Sequence, residues 1–79
     1  MKTRRPVAEV DLHGETRESA TEVVHRFIND HWARGWRLRI ITGRSDGMRR
    51  VVADAAAAYG LVARLDRDNE GVLVVDMDV

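Results

Sequence analysis

Asp11 and His13 stand two residues apart in "VDLHGET", residues 10–16, where an apolar run gives way to glycine. An unperturbed imidazole titrates at about pH 6.5, so a histidine here suits a general base, a general acid or a metal ligand. An aspartate two residues away can orient such a ring or stabilise its charged form. It can equally satisfy backbone donors beside a turn. A second stretch, "ITGRSDG" at residues 41–47, has phosphate-binding character. Gly43 and Gly47 permit close backbone approach, and the opening N–H groups of a following helix favour an anion. Arg44, Arg49 and Arg50 add charge, and the planar arginine fork suits phosphate. The stretch is not a Walker loop, because it lacks the Gly-Lys-Ser/Thr ending.

These residues need elements to hold them. "VAEVDLH" alternates, with Val10 and Leu12 on one side and Glu9, Asp11 and His13 on the other. Asp11 and His13 are thus on the same, open side, about 6–7 Å apart along a strand. Thr16 is placed to cap a helix, Glu18 sits in its first turn, and Ala20, Val23, Val24, Phe27, Ile28 and Trp32 form its apolar stripe. Gly35 is the expected terminator. "RLRIIT" reads as a second strand with Leu38, Ile40 and Thr42 on one face and Arg37, Arg39 and Ile41 on the other. Ser45 or Asp46 caps a second helix, whose stripe is Met48, Val51, Val52, Ala55 and Tyr59 and whose end is Gly60. "LVARLD" and "VLVVDMDV" are two more strands, joined by "DNEG" as a hairpin turn. Asp76 and Asp78, on the open side of the last strand, are expected to stay hydrated.

The order is strand–helix–strand–helix–strand–strand. Each helix is expected to cross over between parallel strands. A sheet covered on both sides would need apolar residues on both faces, and these strands have one apolar and one largely charged face. The expected fold class is therefore α/β: a two-layer sandwich, β-α-β-α-β-β, with a four-stranded mixed sheet and both helices on one face. The first two loops then share a rim at the carboxyl ends of the strands, where ligands gather in such architectures.

Composition bounds the partners. The 79 residues suffice for one small domain, with residues 1–6 as a flexible lead-in and 7–79 as the domain. The chain has no cysteine, which excludes disulfides and thiolate metal sites and fits a reducing compartment. No stretch approaches the roughly 20 apolar residues of a membrane span, so a cytoplasmic location is expected. Net charge is zero, against a polycation that coats nucleic acid, yet residues 1–50 carry +4 and residues 51–79 carry −4. That asymmetry can make a local basic surface. His25 and His31 are six positions apart and do not share a helix face, so they are a poor zinc pair. Trp32 and Trp36, flanking Gly35, read as a packing clasp.

"VDLHGETRESATEVVHRFI" resembles the opening of the Smr (small MutS-related) domain, which typically begins Leu-Asp-Leu-His-Gly and runs into a helix. "LRIITGRSDG" is similar to that family's second glycine-rich motif, and two closing strands complete a resemblance from about Val7 to Met77. The resemblance implies a fold similar to the C-terminal domain of translation initiation factor three, nucleic-acid binding, and in many members endonuclease activity on DNA or RNA. It places Asp11 and His13 in the first motif as the catalytic pair. It places Gly43, Arg44 and Gly47 on the second motif; together with Thr42, Ser45 and Arg49 these are the expected phosphate-binding residues. Thr42 stands where the family commonly has histidine, and Ser45 where it has the middle glycine.

The expected function is a nucleic-acid-binding domain with endonuclease activity, with or without a divalent metal. One alternative is a module that docks on branched DNA, structured RNA or a ribosomal surface through Arg37, Arg39, Arg44 and Arg64 without cutting. Another is a protein-interaction domain, part of a longer chain. DNA against RNA, and monomer against oligomer, stay open.

Overall fold

Alternation along the strands sorts their side chains into two faces, and only one face leaves water completely. A computed structural model describes residues 5–78 of the chain. β1 (Val7–Asp11), α1 (Arg17–Asp30), β2 (Arg37–Ile41), α2 (Asp46–Ala57), β3 (Ala63–Leu65) and β4 (Val72–Asp76) follow in the expected order. Of the expected lead-in, residues 1–4 lie outside the described residues, as does Val79 of the expected domain. The carbonyl of Pro6 accepts from the N–H of Arg37 at 2.8 Å, which extends the sheet one residue upstream of β1.

Leu12, Leu38, Ile40, Leu73, Val75 and Met77 come from one face of the sheet and its extensions. They cluster with Ala20, Val24, Phe27 and Ile28 of α1 and Val52, Ala55 and Ala56 of α2. Both helices therefore cover the same face, and the fold is the expected two-layer α/β sandwich. Leu38, Ile40 and Ile28 are wholly buried, each such side chain stabilising by about 1.5–3 kcal/mol. Truncating Ile40 to alanine would cost about 2–5 kcal/mol, since a close-packed layer fills the hole only in part.

The sheet order is β1-β2-β4-β3. β1 and β2 are parallel, and β4 is antiparallel to both of its neighbours. β2 and β3 thus run the same way with β4 between them, so α2 carries the chain across a gap that β4 later fills. On the open face this central position changes what was expected of β4. Val74 registers with Arg39 on one side and Arg64 on the other and is only 2% exposed. Arginine stems are apolar enough to cover a valine while their heads stay wet.

The caps follow the chemistry of their residues. Thr16 accepts from the N–H of Ser19 at 3.0 Å, and Ser19 Oγ accepts from the N–H of Thr16 at 3.0 Å, a reciprocal box at the start of α1. Ser45 caps α2, accepting from the N–H of Met48 at 3.2 Å. Gly60, with φ of 73°, closes α2 with paired bonds from Gly60 N to Ala57 O and from Leu61 N to Ala56 O.

Gly35 does not terminate α1, contrary to the sequence reading. The helix stops at Asp30 with His31 as its cap, and the His31 ring Nδ1 lies 2.8 Å from the Phe27 carbonyl. Gly35 lies in the turn before β2, where its N–H donates to the Met77 carbonyl at 2.9 Å. The clasp divides accordingly: Trp32 packs on Tyr59, and Trp36 packs edge-on to His31.

Candidate functional site

β1 and β2 emerge at the same end of the sheet, as parallel neighbours must. Asp11 is in register with Ile41, and the N–H of Leu12 donates to the Ile41 carbonyl at 2.9 Å. Pairing therefore continues to the lip of both loops. α1 begins where the first loop ends and α2 where the second ends, so both helix starts share this rim. One contact ties them directly. A Cβ built on Gly47 would fall 2.6 Å from Nε and 2.7 Å from Cζ of Arg17, so the guanidinium occupies the space a side chain would take.

Beyond Leu12, the hydrogen bonds of the first loop stay within the loop and the start of α1. The Asp11 carboxylate accepts from the main-chain N–H of His13 at 2.8 Å. Asp11 therefore shapes the turn that presents His13, through the backbone rather than the ring. A second turn bond runs from Glu15 N to Leu12 O at 3.0 Å, and Ser19 Oγ donates to the Glu15 carboxylate at 2.6 Å. His13 is exposed, and its imidazole has no hydrogen-bond partner among the described residues.

The second loop is stitched to the β3–β4 turn. The Gly71 carbonyl accepts from Thr42 N at 2.8 Å and from Gly43 N at 3.0 Å. Thr42 is buried, its hydroxyl donating to the Gly43 carbonyl at 2.9 Å. These two backbone donors are therefore already used. The donors left to a ligand lie further on, at Asp46 and Gly47, the first residues of α2, which have no acceptor within the helix. Arg49 clamps the same turn, donating to the Glu70 carbonyl at 2.7 Å, and reaches Asp46 at 3.4 Å. Arg44 is 84% exposed, with only a loose 4.0 Å approach to Glu70.

The open face is a different electrostatic object. Arg37, Arg64 and Arg5 all converge on Asp76, at 2.7, 3.1 and 2.8 Å. Arg39 bridges Glu9 at 3.2 Å and Asp66 at 3.1 Å. Asp76 is thus the hub of a network rather than the hydrated carboxylate expected of it. The Arg37 guanidinium, above all, holds its carboxyl down at about 2 from the ordinary 3.8. Burial pushes the other way, and hydrogen bonds from Arg64 and Arg5 add to the lowering. Arg37 is raised in turn, chiefly by its hydrogen bond to Asp76.

Two shallow concavities join face and rim. One, of about 560 Å³, lies over Val74 between Arg37, Arg39, Arg64 and Arg67. The other, of about 480 Å³, lies between Arg44, Arg67, Asn69 and Glu70. They adjoin at Arg67 and Asp68 and make one trough.

Sequence reading missed Arg17 and Arg67. Arg17 left a signal: it is a cation at the first position of α1, where the helix dipole favours the opposite sign. Arg67 left none, since a basic residue in a turn is ordinary. Among the described residues, no three His, Asp or Glu side chains gather closely enough to hold a metal ion, and no helix is long and apolar enough to cross a membrane. The family profile described as Smr domain matches residues 10–78. No curated protein and no solved structure gives a significant match.

Proposed function

The chain belongs to the Smr domain family, and from that premise we propose that it grips a nucleic-acid phosphodiester at the rim shared by the two loops and cleaves it there. Membership supports a nucleic-acid-binding, nuclease-like domain at the level of the family. The finer reading rests on one observation: the Arg17–Gly47 contact, which brings the start of each helix, and so the loop before it, to one place.

In this reading His13 transfers the proton. On RNA it removes the proton of the ribose 2′-hydroxyl, the 2′-oxygen attacks phosphorus to form a 2′,3′-cyclic phosphate, and the bond to the 5′-oxygen breaks as that oxygen takes up a proton from water. On DNA a water takes the place of that hydroxyl. Asp11 is a positioning residue that fixes the backbone presenting His13. The N–H groups of Asp46 and Gly47 and the guanidinium of Arg44 hold phosphate oxygens. Thr42, Gly43, Ser45 and Arg49 hold the loop in shape, through Gly71, Met48 and Glu70. Flanking nucleotides lie in the trough past Arg67, with Arg37, Arg39 and Arg64 lining its outer part.

A second reading, binding without cleavage, is favoured by a single feature: the His13 ring lacks a carboxylate partner. One experiment separates the two. The purified chain is incubated, with and without divalent metal, with nicked, branched and single-stranded substrates of DNA and of RNA, beside His13→Ala. Cleavage by the wild type and not by the variant supports the nuclease. Binding that weakens steeply with salt, without cleavage, supports the docking module. A flat salt response excludes a nucleic-acid partner altogether.

A further inference from the structure

Gly47 poses a question that its backbone does not answer. Among the described residues, the glycines with positive φ are Gly14, Gly35, Gly43 and Gly60; Gly47 has no such need. It is the second residue of α2, where glycine weakens a helix relative to alanine. What fills the place of the missing side chain is the Arg17 guanidinium. Arg17 has its own cost, as a cation at the start of α1. Yet its guanidinium meets no carboxylate among the described residues, in a protein where Arg5, Arg37, Arg39, Arg49 and Arg64 all do. Two locally unfavourable choices thus converge on one outcome: an uncommitted planar cation held between the two loops.

We infer that Arg17 is a phosphate-contacting residue of the rim and that Gly47 is glycine in order to seat it. The inference rests on the proposed nucleic-acid site and adds a residue that lies outside both of its loops. The guanidinium lies in the space beside Gly47 that a side chain would fill, and that contact narrows the positions open to it. Its N–H donors are left for a phosphate oxygen beside the one held at the second loop. A fork fixed in advance loses less freedom on binding than an arginine free in solvent.

The test is the affinity of labelled single-stranded and branched oligonucleotides, DNA and RNA, across a salt series. Arg17→Ala is expected to weaken binding several-fold and to reduce the slope of log affinity against log salt by about 0.7–0.9, the loss of one phosphate contact. Arg17→Lys should keep the slope and recover part of the affinity. Gly47→Ala, which keeps every charge but evicts the guanidinium, should weaken binding comparably with thermal stability unchanged or raised. Combined with Arg17→Ala it should add nothing. Wild-type affinity and slope in Arg17→Ala would overturn the role of Arg17. Losses that multiply in the double variant would overturn the seat, because Gly47→Ala would then act independently of Arg17. No binding by the wild type to any substrate would instead remove the underlying site.

Discussion

The rim and the open face both carry arginines, but they put them to opposite use. On the face, register decides everything: Arg37 pairs with Asp76 across β2–β4, and Arg39 lies level with Glu9 across β1–β2. The positive charge there is committed to carboxylates and serves the sheet. At the rim, Arg17 and Arg67 have no carboxylate among the described residues, and Arg44 has only a distant one. A face whose four guanidiniums are all held by three carboxylates (Arg5, Arg37, Arg39 and Arg64 against Glu9, Asp66 and Asp76) therefore offers phosphate less than a rim where Arg17 and Arg67 are unpaired among the described residues and Arg44 only loosely held. An arginine is available to a ligand only where the fold has left it no partner.

The largest effect that can break this contrast is catalytic. His13→Ala should lower cleavage by about 10²–10⁴-fold, the usual share of a general acid or base, with binding within about threefold. Single-turnover rates beside equilibrium affinities measure both. Next comes charge. Replacing Arg44 and Arg67 together with alanine should reduce the salt slope by about 1.4–1.8, whereas replacing Arg37 and Arg39 together should reduce it by less than half of that. Equal slopes would mean that the ion pairs on the face open for phosphate, and the contrast would fail.

Smaller effects sharpen it. Asp76→Asn removes the hub, so it should cost about 1–2 kcal/mol in urea unfolding. It should also raise nucleic-acid affinity by releasing Arg37 and Arg64. Acid gives the same answer without mutation. The folded Asp76 carboxyl lies at about 2, below the ordinary 3.8, so the folded state binds that proton less readily than the unfolded chain does. Its contribution is complete above about pH 4 and is lost as pH falls toward 2. Stability curves of wild type and Asp76→Asn should converge over that window, and parallel curves would show that the pairs stabilise nothing.

What the sequence disclosed was what local chemistry determines. Thr16 and Ser45 cap because a hydroxyl beside an apolar stripe has that use, and Gly60 ends α2 for an equally local reason. The shared rim was legible too, because two strands joined by a helix run parallel. The remainder depended on partners distant in the chain. Asp76 became a hub because β4 entered between β2 and β3; the unbroken apolar run at 72–75 fits an inner strand, but nothing local pairs Asp76 with its three arginines. Gly35 looked like a helix terminator until Met77, more than a helix length away in sequence, took its N–H. Arg17 and Gly47 are thirty residues apart, and only their contact explains either.

The Gly71 carbonyl, which holds both Thr42 and Gly43, has a consequence for the order of events during synthesis. The second loop is shaped by a residue that immediately precedes the last strand of the sheet, and that strand is an inner one. A growing polypeptide can form β1, α1, β2 and α2 while still lacking the middle of its sheet and the acceptor that sets the loop. Long-range pairing of this kind is slow to nucleate. Emerging chains would thus lack the set geometry of the second loop until β4 pairs between β2 and β3.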